Sequence, residues 1–262
     1  MALFAAVLAA WNYAPAPVQG EAEPKDRIER KKPAAIIGTV KKEMQALKGY
    51  RLEYGLTTDS GGHSFTGAAT PKDALAHLEG TREMWAKGEA YAVKGTEVFE
   101  NLDETEGFDA VGLSAVVNPE VILRECLKAA ADAGWAGDEA VGDIPCKVLE
   151  LKASSSQKKE QAAAYVRRYQ MNESLGLAGR VDTRATKSAY RVWIGISDLR
   201  VYKIEWALTP RFDLSNLPSD GSRGSVNIDA LGKLEAVHVL TLSAFDKDVE
   251  LAMPKDVAKV LR

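Results

Sequence analysis

The spacing of apolar residues changes along the chain, and each spacing predicts one type of element. In residues 36–48 apolar side chains recur every three or four positions, which predicts a surface helix that Gly49 ends. From Tyr50 to Leu56 the period shortens to two, which predicts a strand. The polar and glycine residues 59–62 then predict a tight hairpin turn into a second strand.

The same alternation continues to residue 103, interrupted only by short turns. Residues 70–73 and Gly88-Glu89 are turn sequences, and Lys94-Gly95 breaks the last segment. Connections this short make neighbouring strands antiparallel, because a parallel pair needs a crossover of about a dozen residues or more. The first half of the chain is therefore predicted to be a meander of four or five strands.

The second half combines two predicted helices with further strands. After a loop over residues 103–117, Asn118-Pro119-Glu120 is a strong helix start, and Gly134 is predicted to end that helix. Strands follow over residues 139–153, where Ile144-Pro145-Cys146 predicts a sheet edge or a bulge, because proline cannot donate to a strand ladder. Residues 154–169 predict a mostly polar helix.

The C-terminal part predicts a hairpin over residues 189–209, a strand over 235–246 and a closing segment at 249–253. The total is eight to ten strands, nearly all antiparallel to their neighbours. We therefore expect an α+β fold, with one large curved antiparallel sheet, a half-barrel, capped by helices on one face.

The late strands are apolar on both faces. In residues 190–197 the even-numbered positions place apolar side chains on one face, and Trp193 lies on the other. Residues 236–245 also carry apolar side chains on both faces. A sheet with one wetted face should alternate apolar and polar residues instead. We expect helices to cover one face and the curling of the sheet to cover the other, which would enclose a cavity.

The order of these elements, together with several short motifs, resembles the LolA/LppX-like superfamily. The motifs are Leu47-Lys48-Gly49-Tyr50, Trp85-Ala86-Lys87-Gly88, residues 141–148, residues 190–194 and residues 249–254. The resemblance covers residues 36–256 and implies an unclosed antiparallel barrel, capped by helices, that holds acyl chains. It implies binding or carrying a lipid or another apolar molecule in the cell envelope. No arginine matches one that would grip a lipoprotein, so lipoprotein chaperone activity is not implied.

Large apolar residues on the predicted strands are the candidates for lining such a cavity. Trp206 and Trp193 rank first, because a buried indole N–H needs a partner and often lies where a site is partly wet. The alternative is that each residue belongs to an ordinary packed core. The candidate ligand-binding residues are Tyr54, Phe65, Trp85, Tyr91, Trp193, Ile204 and Trp206.

The N-terminal segment predicts export. Residues 2–10 form a short uncharged apolar run, followed by small residues at Val18 and Gly20, which is typical of a signal peptide over residues 1–20. The run has no Lys or Arg before it, which departs from that pattern, and the alternative is an apolar helix packed on the domain. Residues 21–33 predict a charged linker, and residues 34–262 a single LolA/LppX-like domain.

Composition narrows the classes of function. The chain has 262 residues, of which 46% are hydrophobic and 27% charged, as in an ordinary folded protein. A formal net charge of −3 argues against a nucleic-acid partner. Three histidines and two cysteines provide few ligands, so neither a metal site nor a cofactor is predicted. Cys126 and Cys146 are predicted either to pair or to remain as two buried thiols.

These observations predict an exported, non-enzymatic protein, periplasmic or otherwise outside the cytoplasm, that encloses a lipid or acyl-chain ligand. An envelope protein partner and peripheral membrane contact are compatible with this prediction. The alternative is an envelope scaffold or interaction protein whose cavity is filled by its own side chains. An enzyme is the least favoured class, because no catalytic motif is complete.

Overall fold

A computed structural model places eleven strands of this chain in one antiparallel sheet. The structure describes Ile28 and residues 32–58, 61–80, 82–88, 90–96, 98–101, 126, 128–129, 133–168, 176–215, 234–246 and 249–261. The predicted signal peptide, nearly all of the predicted linker, the loop over residues 103–117 and most of the helix starting at Asn118 lie outside these residues.

Helix α1 (Pro33–Gln45) confirms the first predicted helix, displaced by three residues toward the N-terminus. Pro33 is its first residue, where the fixed φ angle of proline suits a helix and its missing N–H costs nothing. Ile36, Val40 and Met44 are buried, so the apolar stripe faces the sheet as its spacing predicts.

The first half of the chain forms the predicted meander. Its strands are β1 (Tyr50–Thr58), β2 (Gly61–Thr70), β3 (Leu75–Gly80), β4 (Met84–Lys87), β5 (Ala90–Lys94) and β6 (Phe99–Asn101). Residues 74–88, which alternate without a break in sequence, form two strands rather than one. The chain reverses after Gly80, and Leu78 of β3 pairs with Met84 of β4.

The second half supplies the other strands and two helices. They are β7 (Gly134–Val141), β8 (Ile144–Lys152), α2 (Ser155–Arg168), β9 (Lys187–Gly195), β10 (Val201–Thr209), β11 (Ala236–Ser243) and α3 (Lys255–Val260). Gly134 begins a strand rather than only ending a helix. Residues 249–253 form no strand, and α3 was not predicted.

The expected edge or bulge at Pro145 was wrong. Strand β8 lies inside the sheet between β7 and β9, and Pro145 is its second residue, next to the Gly142 turn. The irregularity in this hairpin lies instead in β7, between Trp135 and Gly137, where Gly137 has a φ of 125°. A glycine accommodates that backbone angle without steric cost.

The strand order across the sheet is β6-β5-β4-β3-β2-β1-β11-β10-β9-β8-β7. The two meanders meet at the centre, where β11 pairs antiparallel with both β1 and β10. In the described part of the chain β6 and β7 form the two edges and do not pair with each other, so the sheet is not closed. The predicted fold class, an open antiparallel half-barrel with helices, is therefore confirmed.

One face of the sheet, here called the interior face, carries the main hydrophobic core. Residues on alternate positions of every strand from β1 to β5 and β8 to β11 contribute to it. Both longer helices cover this face, α1 through Ile36 and Val40, and α2 through Tyr165 and Val166. Ile28, inside the predicted linker, is also buried in this core.

The other face, here called the outer face, has two smaller clusters. Over the first half of the sheet, Val257 of α3 packs with Leu75, Trp85 and Ala92. Over the second half, Trp193 packs with Cys146 and Val148. Of the late strands, Trp193 of β9 and Tyr202 of β10 are thus packed on the outer face, whereas Val237 and Val239 of β11 are only half-buried there, so the expected cover of both faces holds for part of them.

Cys126 and Cys146 are both buried and are not joined in a disulfide, so the structure takes the second of the two alternatives. Burial raises the pKa of the Cys146 thiol to about 11, which keeps it protonated near neutral pH. Among the described helices, none is long and apolar enough to cross a membrane.

Candidate functional site

The most distinctive group on the interior face is a set of four aromatic rings, here called the interior aromatic cluster: Tyr54, Phe65, Trp206 and His238. Tyr54 pairs with Phe65 across β1 and β2, and Trp206 pairs with His238 across β10 and β11. Directly opposed residues of antiparallel strands share a face, so register alone brings these side chains together.

The rings of this cluster are in contact. Trp206 and His238 stack at 4.0 Å between centroids with an angle of 9° between their planes. Tyr54 lies 6.1 Å from Phe65 and 6.3 Å from Trp206, again between ring centroids. These separations are within the range in which aromatic pairs attract each other.

A polar contact lies inside this apolar surface. The hydroxyl of Tyr54 and Nδ1 of His238 are 2.8 Å apart, and both side chains are buried. Burying a polar group is costly unless it is hydrogen-bonded, so this contact keeps an imidazole and a phenol inside the core. Trp206, in contrast, is only half-buried and connects the cluster to the surface.

Five of the seven sequence-predicted residues belong to the interior face. Tyr54, Phe65, Tyr91 and Ile204 are members of the main core, and Trp206 packs against it. Their shared face follows from strand period and register, which the alternation in the sequence already indicated. Trp85 and Trp193 lie in the two clusters of the outer face, so the structure does not bring them together with the other five.

Trp85 is part of a polar network on the outer face. Its indole N–H and a ring nitrogen of His77 both lie 3.2 Å from Oε1 of Glu83, and the His77 and Trp85 rings stack at 4.2 Å. Lys94 donates to the other carboxylate oxygen at 2.9 Å. That hydrogen bond, helped by those from Trp85 and His77, lowers the pKa of Glu83 against the opposing effect of burial.

An open cleft of about 640 Å³ adjoins this network. Its lining is polar and charged: Gly80, Arg82, Glu83, Lys94, Gly95, Thr96 and Glu100. Because Glu83 and Lys94 already neutralise each other, the cleft offers a mixed surface rather than a site for one sign of charge.

Trp193 has a similar setting at the other end of the sheet. Its indole N–H donates to Oε2 of Glu139 at 2.9 Å, and this bond is the main cause of the lowered pKa of Glu139. Lys203 Nζ lies 4.3 Å from the ring centroid, and the guanidinium carbon of Arg191 lies 4.9 Å from it. These long side chains cover the indole, where no described helix packs, while Arg191 pairs with Glu139 and Lys203 pairs with Glu205.

Sequence reasoning missed the role of His238, which it counted only as one of three histidines, too few for a metal site. The signal was present in the alternation of β11, where residues 236, 238, 240 and 242 share the buried face. Only the paired strands show that the imidazole meets Tyr54 and Trp206. Among the described residues, no group of three or more His, Cys, Asp or Glu is placed to hold a metal ion.

Comparison with known proteins returns similar structures only. The chain is similar to the lipoprotein LppX of Mycobacterium tuberculosis, with 13% identity and a TM-score of 0.42 over 84% of this chain and 97% of that one. It is also similar to LprF of Mycobacterium bovis, with 8% identity and a TM-score of 0.43 over 85% and 96% of the two chains. A LolA superfamily protein of Nitrosomonas europaea matches with 14% identity and a TM-score of 0.31 over 88% and 98%.

These solved structures include both groups that the sequence resemblance named. No protein-family model and no curated protein sequence matches the chain.

Proposed function

We propose that this chain is an exported, non-enzymatic protein that binds or carries a lipid or another apolar ligand in the cell envelope. The observation that carries the proposal is the interior face, which is apolar across nine strands of an unclosed sheet and has a half-buried tryptophan in its aromatic cluster. The resemblance of the sequence to the LolA/LppX-like superfamily supports the same function.

The physical driving force would be removal of apolar ligand surface from water, worth about 25 cal/mol per Å² before the entropy costs of binding. We propose that Tyr54, Phe65, Tyr91, Ile204 and Trp206 contact the ligand, because they share the interior face. The hydroxyl of Tyr54 and Nδ1 of His238 already bond to each other, so the lining favours a predominantly apolar ligand.

A scaffold or interaction protein without a ligand is the second candidate, and one observation favours it. Tyr54, Phe65 and Ile204 are at most 5% exposed, and side chains of both longer helices pack on the same face. A face filled in this way binds a ligand only if part of its cover moves.

The test is native mass spectrometry of the mature protein purified without detergent, followed by organic extraction and lipid analysis. A carrier retains lipid that appears in both measurements. A protein that remains free of ligand after incubation with envelope lipids would contradict the carrier proposal and support the scaffold. N-terminal sequencing of secreted material tests export, and a retained Met1 would contradict it.

Two tryptophan variants locate the ligand. We expect Trp206→Ala to lower the ligand-bound fraction, because it removes the half-buried ring of the interior aromatic cluster. Trp135→Ala is the matched control, since Trp135 is also half-buried but lies on the edge strand β7. Equal ligand-bound fractions in the two variants would place the ligand away from the interior aromatic cluster.

A further inference from the structure

One rim of the sheet is strongly basic although the whole chain carries a formal charge of −3. Three segments meet there: the end of β8 with the start of α2, the loop before β9, and the end of β10 with the residues after it. Within residues 152–160, 180–187 and 209–213 they carry seven cationic side chains and three carboxylates. The seven, here called the basic rim, are Lys152, Lys158, Lys159, Arg180, Arg184, Lys187 and Arg211.

Backbone contacts hold the three segments together. Val181 and Phe212 form an isolated antiparallel bridge, and the N–H of Asp182 donates to the carbonyl oxygen of Arg211 at 2.8 Å. Lys187 pairs with Thr209 at the ends of β9 and β10. The N–H of Ala153 donates to the carbonyl oxygen of Ser188 at 3.1 Å, which joins the first segment to the start of β9. The basic rim is therefore one continuous surface in the fold.

Most of this positive charge is not neutralised within the described part of the chain. Lys152, Lys159, Arg184 and Lys187 are exposed and form no ion pair with any described residue. Two further cations donate to backbone carbonyl oxygens, which leave their charge in place. Lys158 Nζ lies 3.5 Å from the carbonyl oxygen of Thr183, and an Arg211 guanidinium nitrogen lies 2.8 Å from that of Pro210.

Two of the three carboxylates are directed into their own loops. Asp182 Oδ1 accepts the backbone N–H groups of Arg184 and Ala185. Asp213 Oδ1 accepts the hydroxyl and the backbone N–H of Ser215, and the charge of Arg180 also helps to lower its pKa, so Arg180 is partly offset. The remaining carboxylate, Glu160, is exposed on α2. The segments therefore present an excess of positive charge to solvent.

Half-buried apolar side chains accompany these cations. Phe212 and Leu214, one and three residues after Arg211, pack against the main core, as does Ala178, two residues before Arg180. Trp206 of the interior aromatic cluster lies three residues before the end of β10, close to the same rim. Cations beside partly exposed apolar residues are typical of protein surfaces that bind at a membrane interface.

We propose that the basic rim is the surface by which this protein docks onto a bilayer that contains anionic phospholipids. Lysine and arginine side chains would lie among the lipid phosphates, while Phe212 and Leu214 would reach the boundary of the acyl chains. The opposite charge on the rest of the molecule would orient the protein as it approaches. The inference builds on the proposed function, because docking here brings the half-buried Trp206 close to a source of lipid.

The test is flotation of the full chain with vesicles of phosphatidylcholine, with or without about 30% phosphatidylglycerol. We expect binding to the anionic vesicles only, weakening as salt rises from about 0.1 to 0.5 M, because the Debye length shortens. Equal binding to both kinds of vesicle, or to neither, would overturn the proposal. In the latter case an acidic protein would be the better partner for this surface.

Two triple variants with the same change in net charge make the test local. Lys159→Gln, Arg184→Gln and Lys187→Gln together should weaken binding to anionic vesicles roughly 100-fold, at about fivefold per cation removed. Lys42→Gln, Lys72→Gln and Lys87→Gln remove three exposed lysines elsewhere and should change it little. Circular dichroism checks that both variants fold. Equal losses of vesicle binding in the two variants would show that only net charge matters and would overturn the proposal that the basic rim is the docking surface.

The outcome is separable from that of the proposed function. Protein that co-purifies with lipid but shows no preference for anionic vesicles would refute the docking surface and leave the carrier intact. If vesicle binding needs the basic rim but the protein never retains lipid, the carrier proposal is refuted and the docking proposal stands.

Discussion

The contact between Tyr54 and His238 joins two residues that are 184 positions apart, at the centre of the sheet. Its hydrogen bond lies in an apolar interior, where a single neutral hydrogen bond contributes about 1 kcal/mol to stability. A buried polar group left without a hydrogen bond costs about 1–3 kcal/mol. Trp206 stacks on the same imidazole, so this one histidine couples three strands.

We expect Tyr54→Phe to destabilise the protein by about 1–2 kcal/mol, because it leaves Nδ1 of His238 without the phenol. His238→Phe keeps a ring against Trp206 and removes the nitrogen. Urea unfolding of the two single variants and the double variant measures the coupling, which should be about 1 kcal/mol. Strictly additive free energies of unfolding would contradict an energetic role for this contact.

Glu83 makes stability depend on pH. Its pKa is lowered in the folded protein, chiefly by the hydrogen bond from Lys94. The carboxylate therefore stabilises the fold above the usual glutamate pKa of about 4.3, and this contribution is lost as pH falls through the lower folded value.

Replacing the carboxyl group should reduce that loss. We expect Glu83→Gln to lose less stability on acidification than the wild type, although it is less stable at neutral pH. Lys94→Gln should share part of this behaviour, because it removes the main cause of the shift. Urea unfolding from pH 7 to pH 3 provides the comparison, and an unchanged slope in Glu83→Gln would show that the carboxyl titrates alike in the folded and unfolded chains.

At the scale of elements, strands β2 and β3 approach each other closely at Gly67. A Cβ atom built there would lie 2.1 Å from the carbonyl oxygen of His77, a backbone atom that cannot move without disturbing the pairing. Gly55, in the neighbouring strand β1, has no atom within 4 Å of the corresponding position. One glycine is thus required by the packing, and the other is not.

We expect Gly67→Ala to destabilise the protein by more than about 2 kcal/mol through overpacking and distortion of the β2–β3 pair. Gly55→Ala should change stability by less than about 1 kcal/mol, because the methyl group has room. Thermal or urea unfolding distinguishes them. A Gly67→Ala protein as stable as Gly55→Ala would contradict the strand register described above.

Helices and strands were predicted correctly where residue spacing or turn residues specify them locally, and they were missed where contacts with distant residues decide. The helix α1 and the hairpins follow from period and turn residues, because both act within a few positions. Residues 255–260 are a six-residue helix that periodicity does not distinguish from a loop. That helix forms against Trp85 and Leu75, so its reason lies in the sheet rather than in its own sequence.

At the scale of the whole molecule, the proposed carrier predicts a stability that depends on bound lipid. A ligand that binds only the folded state stabilises it, by about 2.7 kcal/mol at a hundred times its Kd. We expect protein stripped of lipid by detergent exchange to unfold at a lower temperature than protein as purified, and added lipid to restore the transition. Identical transitions before and after stripping, with lipid loss verified by mass spectrometry, would favour the scaffold.

Most strands of both meanders, their antiparallel sense and their apolar faces were predictable from the sequence alone, although residues 74–88 form two strands where the alternation indicated no break. These properties follow from side-chain period and short connections, which are local. The sequence also indicated seven residues as one set, of which Tyr54, Phe65, Tyr91, Ile204 and Trp206 share the interior face and Trp85 and Trp193 do not.

Which elements meet is visible only once the chain is folded. The tertiary structure paired β1 with β11 and separated Trp85 and Trp193 from the interior face. It also brought His238 to Tyr54 and collected seven cations from three segments into the basic rim. Such long-range contacts depend on how whole faces pack against each other and on which side chains fill the space between them, and no local period in the chain encodes that.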